Sequence, residues 1–138
     1  LFDKNYKNLE KLVNKAETIT KNNNGLKLNV AINYGGRSDI IHAAKKIAHQ
    51  VKINKLDIRQ INEEFFYNNL ITKEISNIDY LIRTSGEQRI SNFMIWQLVY
   101  SEMYFTESLW PDFDEKEFIK AINSFSKRDR RFGSSNAI

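Results

Sequence analysis

The chain has 138 residues, 41% hydrophobic and 12% aromatic, which suits one domain, or a piece of one, with a real core. Its 28% charged residues, its mean hydropathy of −0.53 and the lack of any apolar run near ~20 residues exclude a membrane-spanning protein, and no signal peptide opens it. The absence of cysteine excludes disulfides, thiol catalysis and zinc–thiolate sites, while a net charge of +4 favours acidic partners: diphosphates, nucleic acid or an anionic membrane surface.

In chain order, Leu9, Leu12, Val13, Ala16 and Ile19 recur at helical spacing and predict an amphipathic helix over residues 5–21. Asn24-Gly25 is expected to stop it, glycine taking the left-handed conformation at a helix end. Lysine alternates with asparagine here, as in Lys21-Asn22-Asn23-Asn24, which reads as compositional bias more than as a nucleic-acid patch. Residues 26–33 carry Leu28, Val30 and Ile32 in alternation and predict a strand. The loop Asn33-Tyr34-Gly35-Gly36-Arg37 follows, with Ser38 or Asp39 expected to cap the next helix. Ile40, Ile41, Ala44, Ile47, Ala48 and Val51 form the buried stripe of that helix. The glycines suit either a tight strand-to-helix turn or a close backbone approach to a ligand or a neighbouring strand. His42 and His49 read as rim or solvent-facing residues, since no third ligand is placed with them. Residues 56–70 predict a second helix with Ile61, Phe65, Phe66 and Leu70 on its apolar side, and residues 72–77 a polar link.

Residues 79–107 organise the rest. Tyr80-Leu81-Ile82 ends on Arg83 and predicts a short strand; a turn with one glycine follows, Thr84-Ser85-Gly86-Glu87-Gln88. Arg89 and Ser91 precede Phe93, Met94, Ile95, Trp96, Leu98, Val99 and Tyr100, an apolar run predicting a buried helix with Ser91 as N-cap. Two guanidiniums and a helix N-terminus at the carboxyl end of a strand would favour an anion such as phosphate. Each charge-assisted bond contributes about 1.5–3 kcal/mol. The alternative is that Arg83 and Arg89 pair with Glu87 or Asp79. Beyond, Met103-Tyr104-Phe105 reads as a strand, Trp110-Pro111-Asp112-Phe113 as a turn anchored on aromatics, and Asp114 with Glu117 as a capping box. Phe118, Ile119, Ile122 and Phe125 carry a last helix, and a basic tail covers residues 127–138. Strands alternating with helices predict an α/β fold, a parallel sheet covered by helices, with sites at the strands' carboxyl ends.

The stretch RTSGEQRISNFMIWQLVYSEMYFTESLWPDF, followed by RDRRFG, resembles the C-terminal signature of the cis-prenyltransferases, and NVAINYGGRSDI at residues 29–40 resembles another signature of that family. The likeness runs from about residue 9 to residue 133 and is to the bacterial undecaprenyl diphosphate synthase (isoprenyl transferase) type. It implies a cis-prenyltransferase fold incomplete at the N-terminus, with residues 1–138 as the C-terminal portion of one domain. The family's Asp-Gly-Asn-x-x-Arg-Trp-Ala loop, which holds its central catalytic aspartate, does not occur here, nor does its Phe-Ser-x-Glu-Asn-Trp motif. The start at Leu1 rather than Met agrees with a chain cut from something longer.

The resemblance further implies condensation of isopentenyl diphosphate onto an allylic diphosphate such as farnesyl diphosphate, with cis geometry. The product would be a polyprenyl diphosphate carrier for cell-wall synthesis. By residue-level resemblance Arg83, Arg89 and Ser91 hold the diphosphate of isopentenyl diphosphate, and Glu102 helps coordinate Mg2+. Asn33 and Arg37 lie near the active site, and Arg131 and Gly133 match a terminal element that can reach the partner subunit's site. A homodimer in the cytoplasm follows from the same likeness, with contact to the membrane surface for the lipid product and no nucleic-acid partner. With the aspartate loop missing, the 138 residues alone are expected to be inactive. A non-catalytic partner subunit of a prenyltransferase, or a basic nucleic-acid-binding module, are the alternatives.

Overall fold

The computed structural model describes residues 3–128, and side chains from residue 8 onward. The chain divides into two units, Leu1–Ile32 and Asn33–Ile138.

The first unit holds helix α1, Asp3–Thr20, close to the expected bounds. It ends on an Asn23 N–H to Thr20 carbonyl bond of 2.9 Å, five residues before Gly25. Gly25 therefore plays no capping part and is not left-handed. The apolar stripe Leu9, Leu12, Val13 and Ile19 is exposed. The expected strand over residues 26–33 is not formed. Leu28, Val30 and Ile32 are 79%, 72% and 53% exposed. The physical reason is that a strand needs a second backbone for its N–H and C=O groups, and among the described residues none is paired with this segment.

The second unit begins with α2, Gly36–Lys52. Its N-cap is Gly35, which has no side chain to offer, rather than Ser38 or Asp39. The buried face is Gly36, Asp39, Ala43 and Ile47, with Ile40 and Val51 half-buried, while Ile41, Ala44 and Ala48 are exposed. The stripe is rotated from the expected one because a charged residue, Asp39, is taken inside. The expected helix over residues 56–70 is broken into a 3₁₀ turn at Ile58–Gln60 and a short α3 at Glu63–Tyr67. Asp57 and Gln60 make a reciprocal cap for the first, and the Asn62 side chain accepts from Phe65 N–H at 2.8 Å for the second. Two N-terminal signals within six residues divide what periodicity alone would join.

Strands β1 (Tyr80–Arg83) and β2 (Glu102–Phe105) form a two-stranded parallel sheet in the register Tyr80↔Glu102 to Arg83↔Phe105. A 3₁₀ turn at Trp110–Asp112 stacks Trp110 on Phe113, centroids 6.3 Å apart. Helix α4, Glu115–Phe125, starts where expected, with the Asp114 carboxylate accepting from Glu117 N–H at 3.0 Å. The Glu117 carboxylate pairs forward with Lys120. Tyr80 ties α4 to the sheet, its hydroxyl donating to the Ala121 carbonyl at 2.9 Å and its ring lying 4.7 Å from Phe125. Among the described residues the buried apolar side chains are Ala43, Ile47, Leu56, Leu70, Met94, Leu98 and Ala121. Within the second unit, helices flank a parallel sheet, as the alternation of elements predicts.

Candidate functional site

The predicted helix after Ser91 is replaced by successive turns over residues 91–100. Ser91 (φ 47°), Asn92 (φ 64°) and Met94 (φ 44°) are left-handed, which a right-handed helix cannot contain. Ser91 is therefore not a helix N-cap; the helix N-terminus that meets this turn is that of α2, whose Gly36 and Arg37 N–H groups donate to Asn92. One helical turn survives, with Leu98 N–H donating to the Met94 carbonyl at 2.9 Å, and Met94, Gln97 and Leu98 are buried at that spacing.

Arg83 ends β1, and its carbonyl accepts from Thr106 N–H at 3.0 Å. Its Nε is buried with no hydrogen-bond partner among the described residues. A buried guanidinium nitrogen left unpaired costs about 1–3 kcal/mol, so this atom calls for an acceptor. The following loop is held against β2's exit by Ser85 N–H to the Ser108 carbonyl (2.8 Å) and Gly86 N–H to the Thr106 carbonyl (2.9 Å). Gly86 has φ +67°, which favours glycine, while the Glu107 carboxylate that a Cβ there would meet lies at the end of a flexible side chain that can swing aside. Arg89 is exposed and pairs with Glu87, the alternative that the sequence left open.

Glu102 is not beside this loop. The parallel register places it opposite Tyr80, three residue steps or about 10 Å from Arg83's end of the sheet. Its Oε2 accepts from Arg128 Nη1 at 2.6 Å, while Arg128 Nη2 donates to the Met103 carbonyl at 2.9 Å. A magnesium ion takes carboxylate and other oxygen ligands in an octahedron. Glu102 offers one carboxylate already engaged by a guanidinium, and among the described residues no three acidic, histidine or cysteine side chains converge. These residues do not by themselves make a magnesium site.

Arg37 opens an open hollow on α2 lined by Ser38, Ile41, His42 and Lys45. Asn33 is left-handed (φ 52°) and exposed. His42 and His49 are exposed on α2. Arg131 and Gly133 lie outside the described residues. Two features were not read from the sequence. The first is Asn92: its carbonyl accepts from Gly36 N–H at 2.7 Å and its Oδ1 from Arg37 N–H at 2.9 Å. It joins the Gly35–Gly36 loop directly to the turn bearing Ser91. The Gly-Gly pair signalled such an approach without naming the neighbour.

The second is a buried polar network. Asp39, 2% exposed, accepts from Ile71 N–H and Thr72 Oγ1, both at 2.6 Å, and from the Tyr34 hydroxyl at 3.2 Å. Gln97, 1% exposed, donates to Thr72 Oγ1 at 2.6 Å. Burial, then the Asp39 charge beside it, pushes the Tyr34 hydroxyl above its usual titration range. The network locks α2, residues 71–72 and residues 94–98 around the candidate loops.

An α/β protein with a parallel sheet flanked by helices, and candidate loops that follow β1 and precede α2, defines the class. The chain belongs to the undecaprenyl diphosphate synthase family: the model described as "Putative undecaprenyl diphosphate synthase" matches residues 2–133. It is 55% identical over 129 residues to a ditrans,polycis-undecaprenyl-diphosphate synthase ((2E,6E)-farnesyl-diphosphate specific) of Wigglesworthia glossinidia brevipalpis, covering 94% of this chain and 50% of that protein. With the enzyme of the same name from Escherichia coli (strain K12) the identity is 46% over 127 residues, 92% of this chain and 50% of that one. Among solved structures, lavandulyl diphosphate synthase from Lavandula x intermedia, in complex with dimethylallyl diphosphate, aligns with a TM-score of 0.85 at 42% identity, over 91% of this chain and 54% of that one. A probable undecaprenyl diphosphate synthase from Campylobacter jejuni aligns at 0.75 and 35% identity, over 92% and 57%. The chain spans about half the length of the curated relatives it matches.

Proposed function

We propose that this chain is the isopentenyl-diphosphate-binding portion of a cis-prenyltransferase that extends an allylic diphosphate, farnesyl diphosphate by the names of its relatives, to a polyprenyl diphosphate. In that reaction the allylic carbon–oxygen bond breaks and diphosphate leaves, the allylic carbon bonds to the terminal alkene carbon of isopentenyl diphosphate, and a proton is lost from its C2 to form the new double bond. The observation that carries the reading is the buried Arg83 Nε at the carboxyl end of β1, without a partner among the described residues. Arg89 and Ser91 follow in the same loop, and Arg89 is free to exchange Glu87 for a phosphate oxygen because its side chain is largely exposed. A doubly ionised diphosphate outcompetes one exposed carboxylate for a planar guanidinium.

Mg2+ would neutralise the departing diphosphate. Glu102 would supply at most one of its ligands, once released from Arg128, the others coming from substrate oxygens, water and residues beyond these 138. A dimer, a cytoplasmic setting and delivery of product at the membrane surface complete the reading. Among the described residues no helix is long and apolar enough to cross a membrane.

The test is calorimetric titration of isopentenyl diphosphate into the chain, with circular dichroism confirming the fold. Binding that Arg83→Ala/Arg89→Ala reduces at least a hundredfold is expected, the scale of two charge-assisted bonds. Equal affinity in the double variant would sink the reading.

A further inference from the structure

Asn92 sits where two otherwise separate loops meet. Its carbonyl and its side-chain oxygen take the N–H groups of Gly36 and Arg37, the first two residues of α2, across more than fifty residues of sequence. The fit is close from the other side as well: a Cβ at Gly35 would lie 2.8 Å from Asn92 Nδ2. Asn92 is left-handed, a conformation asparagine tolerates better than most side chains. Its neighbour Ser91 shares that conformation and is one of the three residues assigned to the diphosphate.

We propose that Asn92 is a positioning residue for diphosphate binding. Its bond to Arg37 N–H fixes the turn that presents Ser91 and sets the Arg37 root beside it, so the anion meets a preformed donor set rather than a loop it must order. This rests on the reading of Arg83, Arg89 and Ser91 as a diphosphate site. The binding energy that a preformed loop saves is the ordering cost of that loop. The clamp is a physical link between α2 and the substrate turn, and touches no substrate itself.

The experiment compares wild type, Asn92→Gly, Gly35→Ala and the double variant in the 138-residue chain. Asn92→Gly keeps the left-handed backbone and removes the acceptor. Gly35→Ala leaves the acceptor and pushes it, on a backbone (φ −149°) that alanine accepts. Amide exchange at Arg37 reads the clamp, calorimetry with isopentenyl diphosphate and with inorganic pyrophosphate reads the site, and both are taken well below Tm. Asn92→Gly is expected to lose Arg37 protection and raise both Kd values about tenfold, the scale of one hydrogen bond. Gly35→Ala should weaken binding by itself and add nothing in the Asn92→Gly background, since the atom it strikes is gone. Asn92→Asp, which keeps the oxygen, should restore Arg37 protection.

A lowered Tm with unchanged Kd in Asn92→Gly would overturn the proposal, because a purely structural clamp does that. Unchanged Arg37 exchange in Asn92→Gly would overturn it too. A folded wild-type chain that binds neither ligand overturns the diphosphate reading itself, and the positioning role falls with it; binding by wild type that Asn92→Gly matches overturns the positioning role alone.

Discussion

Gly36 shows how one missing methyl group can hold a site together. A Cβ there would meet Ile95 Cγ1 at 2.9 Å, Ile95 N at 3.1 Å and the Asn92 carbonyl at 3.2 Å. Two of these are backbone atoms that cannot swing aside, so Gly36→Ala must separate α2 from the turn at residues 92–95. We expect a loss of about 2–3 kcal/mol, the overpacking range, measurable as a lower urea midpoint at unchanged slope. Tyr34 offers a pH signature. Its folded titration lies above the ordinary value of 10.0, first through burial and then through the charge of Asp39. A raised folded value gives a contribution that is full below about pH 10 and declines as pH climbs through the folded value. Stability should fall in that alkaline window, and the fall should be shallower in Tyr34→Phe by denaturant titration at successive pH. The residues themselves give partial notice: Gly35-Gly36 suits a tight turn or a close approach, and spacing alone does not choose between them. Asp39, like Ser38, reads as a helix cap, because in sequence a capping aspartate and a buried one look alike.

Among the elements, short strands and capped helices were the legible ones. Tyr80–Arg83 formed where an apolar run between polar turns predicts it, and Glu102–Phe105 began one residue before the expected strand at Met103. Helix α4 began at the capping signal on Asp114. Asp114→Ala should cost α4 about 1 kcal/mol, read from the equilibrium unfolding of the variant, because Glu117 N–H then loses its acceptor. The run at residues 93–100 was illegible for a definite reason. An all-round apolar segment has no polar face to report its period, and the left-handed turn at Ser91, Asn92 and Met94 carries Asn92 onto the Gly36 and Arg37 N–H groups, which lie far off in sequence. The helix over residues 56–70 failed by the opposite error, since Asp57 and Asn62 each start a new turn that the apolar spacing overlooks.

For the molecule as a whole, a two-stranded parallel sheet is marginal, and parallel sheets ordinarily lie buried between other layers. Here Leu28, Val30 and Ile32 stay exposed in the segment that alternation assigns to a strand. The chain also spans about half the length of its curated relatives, and it holds no Asp-Gly-Asn motif. We expect the 138 residues alone to show no Mg2+-dependent incorporation of isopentenyl diphosphate into farnesyl diphosphate, by radiolabel assay, while still binding isopentenyl diphosphate. Robust turnover would overturn that expectation.

The local chemistry was determined by the sequence alone. Motif residues, caps and apolar runs are properties of neighbours along the chain, and they sufficed for family, fold class and the candidates Arg83, Arg89 and Ser91. Tertiary structure alone decided which of them meet. Asn92 joins α2 to the Ser91 turn, while the register of β1 on β2 sends Glu102 to the far end, onto Arg128. Such pairings depend on distances closed between residues far apart in sequence. No spacing within a single segment encodes them.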